Sequence, residues 1–94
     1  MTNINADIGR MRDFVADLKR HKEAINLKNR DIIYKLRNLN SYWKDKAYES
    51  FKESFNKELG ILIKKNDEFI EIKMKEIEDR ARELEEWMIR MKRR

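Results

Sequence analysis

Cysteine and proline are absent from the 94 residues, and glycine occurs only at Gly9 and Gly60. The missing cysteines exclude disulfides, thiolate metal ligands and a thiol nucleophile. The missing prolines remove the residue that most often breaks or kinks a helix. A lone histidine, His21, offers too few ligands for a zinc-type centre, so no metal is expected. There is no Gly-rich phosphate loop, hence no cofactor or small-molecule substrate is expected either. The opening stretch MTNINADIGRMRDF lacks a basic region followed by an apolar one, and no uncharged run is long enough to span a bilayer. The reading is a protein made in the cytosol, cytoplasmic or secreted without a cleaved signal peptide.

What the sequence has is charge in alternation with apolar residues: 44% of it is charged and 40% hydrophobic. That balance describes long amphipathic helices or a coiled coil. The net charge of +5 is unevenly placed. Residues 1 to 41 carry nine Lys/Arg against five Asp/Glu, residues 42 to 89 ten against thirteen, and Arg90, Lys92, Arg93 and Arg94 close the chain with no acid. Four cations at a helix end suit the negative pole of its dipole, and nucleic-acid binding through them would be weak and salt-sensitive. Acidic clusters such as Glu76-Ile-Glu78-Asp79 are interleaved with Lys and Arg, as in i,i+4 pairs rather than an acid/base dyad. No catalytic residues are identified, and the chain is read as a non-enzyme.

Two apolar stripes organise it. Steps of four and three run from Ile4 through Ile8, Met11, Val15, Leu18, Lys22, Ile25, Asn29, Ile32, Leu36 and Leu39 to Trp43, ten of the twelve being apolar. A second stripe takes Tyr48, Phe51, Phe55, Leu59, Leu62 and Asn66, then slips by one to Ile70, Met74, Ile77, Ala81, Leu84, Met88 and Met91. That slip resembles a single stutter, and Gly60 within the stripe suggests close approach of another helix. Between the stripes, Asn38 to Ser41 has loop character. The expectation is one helical-hairpin domain over 1–94, all-α, with helix 1 at about 4–39, a bend at about 40–45 and helix 2 at about 46–92.

Antiparallel pairing about Trp43 matches residues whose numbers sum to about 87. Trp43 then plugs the bend. Lys22 faces Asn66 and Asp67 in a polar layer that fixes register. Helix 2 outruns helix 1, leaving Trp87, Met88 and Met91 uncovered for a partner. Phe14, Ile33 and Ile63 flank the stripes as further partner-binding candidates. Covering such side chains is worth about 1.5–3 kcal/mol each, so the hairpin is expected to pair with a second one as a dimer, giving a four-helix bundle.

Trp43-Lys44-Asp45 followed by Ala47, Phe51 and Phe55 resembles the bend of the WXG family, small bacterial helical hairpins of type VII secretion systems. Asp45 stands where that family has glycine; an Asp there can adopt a left-handed backbone or cap the second helix. The family's export signal, a Tyr followed four residues later by Asp or Glu, has no counterpart, since Tyr48 is the last Tyr and Lys52 follows at that distance. The resemblance implies a non-catalytic substrate or export companion that binds another helical-hairpin protein as a homodimer or heterodimer, or docks on a larger toxin or machine subunit. The alternative reading is a cytoplasmic structural adaptor, an assembly subunit of a larger complex.

Overall fold

Helix α1 spans Ile4–Asn38. Asn3 starts it: its side-chain Oδ1 accepts from the Ala6 amide at 3.3 Å and its carbonyl from the Asp7 amide at 3.0 Å, while Asp7 in the first turn and Lys35 and Arg37 in the last complement the dipole. The helix stops one residue before the sequence-based bound. Leu39–Ser41 tighten into a 3-10 turn whose Leu39 carbonyl accepts from both the Tyr42 and Trp43 amides at 2.9 Å. Helix α2 then runs from Lys46 to Lys92. This computed structural model describes residues 3–92, and among them there is no strand.

The chain is a helical hairpin that divides into two compact units, Lys22–Glu68 around the bend, and Met1–His21 with Phe69–Arg94. In the bend unit the buried apolar residues are Leu36 and Tyr48; in the other they are Ile8, Ile70 and Ala81. Arg12 of α1 reaches two α2 carboxylates in the latter unit, Glu78 at 3.9 Å and Glu85. Hydrogen bonding to Glu85 raises the Arg12 pKa above its ordinary value. These groups are exposed enough for water to screen them, so they orient the helices more than they stabilise them.

The inward stripes depart from the expected ones. On α1 the protected residues step from Asn29 to Ile33 and Leu36, and Ile32 faces out. On α2 they run Tyr48, Lys52, Phe55, Leu59, Ile63, Asn66, Ile70, Met74, Ile77, Ala81, with Phe51 and Leu62 outside. The single stutter is therefore a recurring one: Tyr48, Leu59, Ile70 and Ala81 are eleven residues apart. A strict seven-residue stripe drifts about 20° per repeat on a straight helix, whereas eleven residues in three turns stay close to the natural 3.6 per turn. Helix geometry here overrides the heptad.

Gly60 does not mark a close approach, since among the described residues a Cβ there would meet nothing within 4 Å beyond its chain neighbours and its own helix backbone. Glycine here only weakens the helix. Gly60→Ala should raise stability by about 0.5–1 kcal/mol, seen as a higher melting temperature in a circular-dichroism scan.

Along the outside of α2, Lys73 pairs with Glu76 at 3.2 Å, Lys75 with Asp79 at 3.0 Å, Arg80 with Glu83 at 3.1 Å, and Arg82 with Asp79. The hydrogen bond from Lys75 chiefly holds the Asp79 carboxyl below its ordinary value. A depressed carboxyl stabilises the fold above its unfolded pKa of about 3.9 and loses that contribution as pH falls through the folded value. The acidic clusters thus form ion pairs on a solvated helix face.

Candidate functional site

Asp45 holds the bend from two sides. Its Oδ1 accepts from the indole Nε1 of Trp43 at 2.6 Å and from the Tyr48 amide at 3.2 Å, the latter bond capping α2. No non-glycine residue among those described has a positive φ, so Asp45 acts as a cap and not through a left-handed backbone. Where a glycine would supply freedom, this side chain supplies an acceptor.

The plug, however, is Tyr48. It is 1% exposed, and its hydroxyl donates to the Leu36 carbonyl at 2.8 Å in the last turn of α1. One ring thereby joins the end of one helix to the start of the next, satisfying a carbonyl of the kind that helix ends leave unpaired. Trp43 is half-buried and lies over that ring edge-on, with centroids 5.6 Å apart, and against Phe51 at 5.7 Å. Phe51 continues to Phe55 at 5.8 Å and is 46% exposed. Ala47 faces solvent. The sequence points to Trp43 as the wedge because it stands at the break between the two stripes; the signal for Tyr48 is its spacing, three residues after an Asp cap and on the inward stripe.

Lys22, Asn66 and Asp67 all lie partly protected in the bend unit. Asp67 lines a groove of about 240 Å³ with Asn26, Asn29, Arg30, Ile33 and Ile63, so the α1 residues beside it lie four to eleven positions beyond Lys22. Its Oδ1 is buried with no hydrogen-bond partner. Ile33 and Ile63, expected on the partner-binding flank, belong to this groove between the helices. Their neighbours Ile32 and Leu62 take the outer positions, because the protected stripes run one residue later there.

In the other unit Trp87 is 44% and Met91 47% exposed, and Phe14 is exposed too, while Met88 is partly covered. Trp87 is not without intrachain neighbours. It lines a groove of about 450 Å³ with Ile4, Arg80, Glu83, Leu84 and Arg90. Ile4, the first residue of α1, shares this groove with Leu84 and Trp87. Arg80 is neutralised by Glu83 at 3.1 Å, and no described side chain pairs with Arg90.

Among the described residues no group of three His, Asp or Glu could hold a metal ion, and no helix is long and apolar enough to cross a membrane. Comparison with protein-family models, curated proteins and solved structures returns no match.

Proposed function

We infer that the protein is a non-catalytic binding hairpin whose partner is a second helical protein, with which it completes a four-helix bundle. One observation carries this reading: among the described residues only five apolar side chains are buried, while large ones such as Phe14, Phe51, Leu62, Phe69 and Ile72 are about half or more exposed. A WXG-like role, as substrate or export companion of a type VII-like system, is the form of partnership that the bend sequence supports best.

Co-expression with the neighbouring reading frames, followed by affinity recovery of this chain, tests it. Recovery of an exported helical protein or toxin supports the secretion reading, and recovery of a cytosolic machine favours the structural adaptor. A chain that purifies alone and stays monomeric when those frames are co-expressed would overturn both.

A further inference from the structure

The reading of this chain as a binding hairpin leaves open what kind of surface its partner presents, and the groove at the end of α2 narrows the choice. Its floor is apolar, formed by Ile4, Leu84 and Trp87. Its rim is not electrically balanced. Glu83 is occupied by Arg80, whereas Arg90 has no partner among the described residues. The sequence from Trp87 onward, WMIRMKRR, alternates apolar and basic residues without one acid, and Trp87, Ile89 and Met91 are each about half exposed. An apolar floor beside an uncompensated guanidinium complements an apolar side chain with a carboxylate about a turn away, the spacing that one face of an amphipathic helix provides.

We propose that this groove docks an acidic amphipathic helix of the partner, seating one of its apolar side chains on Ile4, Leu84 and Trp87 and one of its carboxylates on Arg90. The inference rests on the binding function above but is separable from it. Met88 and Met91, each next in sequence to a lining residue, carry flexible thioether chains of the kind that adjust to a helix of varied side chains. Arg90 sets the sign of the charge that is accepted.

The test uses the full chain carrying Trp43→Phe, so that Trp87 is the sole indole. The probes are three helical peptides with the same leucine face, flanked by glutamate, glutamine or lysine. The glutamate peptide should shift Trp87 emission to the blue with saturation, more tightly than the glutamine one, while the lysine peptide stays silent. Arg90→Glu, a surface change whose folding is verified by circular dichroism, should weaken the glutamate peptide at least about tenfold and admit the lysine peptide. Equal binding of all three, or no saturable shift up to about 1 mM, overturns the proposal. So does a shift produced by phosphatidylglycerol vesicles or duplex DNA with the glutamate peptide inactive. If the co-expressed partner is recovered undiminished by Arg90→Glu and Trp87→Ala, the groove assignment falls and the binding function stands; if the peptide binds but no partner is found, the reverse holds.

Discussion

Tyr48→Ala should cost about 3–5 kcal/mol, the range for removing a large buried aromatic, and lower the melting temperature by about 4–8 °C for each kcal/mol. The substitution removes both the ring that fills the bend and the hydroxyl donating to the Leu36 carbonyl. Tyr48→Phe separates the two contributions. It keeps the ring and should cost about 1–2 kcal/mol for a buried acceptor left without its donor. Trp43→Ala, at a half-buried position whose indole nitrogen bonds an exposed Asp45, should cost less than Tyr48→Ala. Equilibrium urea unfolding of the three variants checks the order, and a larger loss at Trp43 would return the wedge to the indole.

The second large effect is expected at Ile70. It is 3% exposed, whereas Ile72, two residues on in the same helix, is 56% exposed. Ile70→Ala should cost about 2–5 kcal/mol through lost burial and the cavity left behind. Ile72→Ala should stay within about 0.5 kcal/mol in the isolated chain. The contrast measures the inward phase of α2 directly. Similar losses at both positions would show that the helix does not present the eleven-residue face described above.

Helices, their antiparallel order and the cap at Asp45 were legible because each follows from local rules: apolar period, absence of proline, and an Asp three residues before a protected amide. The inward face was legible only in part. Ile32 and Ile33, like Leu62 and Ile63, are adjacent apolar residues, and a heptad template chose the wrong member of each pair. Which one turns inward depends on small angular drift accumulated along the helix, and composition carries no record of that. The sequence marks Tyr48 only as the first residue of a stripe, since its role as a donor depends on a carbonyl twelve residues earlier. The groove at Trp87 was half legible: the basic and apolar end is plain in the sequence, but that Ile4 reaches as far as Trp87 depends on how the two helices pack side by side.

The short span between Leu36 and Tyr48 has a kinetic consequence. Closing so small a loop loses little chain entropy, whereas joining the ends of the chain before the bend exists would immobilise most of its length. Refolding should therefore nucleate where the tyrosine meets the first helix and zip outward. Stopped-flow measurements would then find Tyr48→Phe slowing the folding rate, and Ile70→Ala acting chiefly by hastening unfolding.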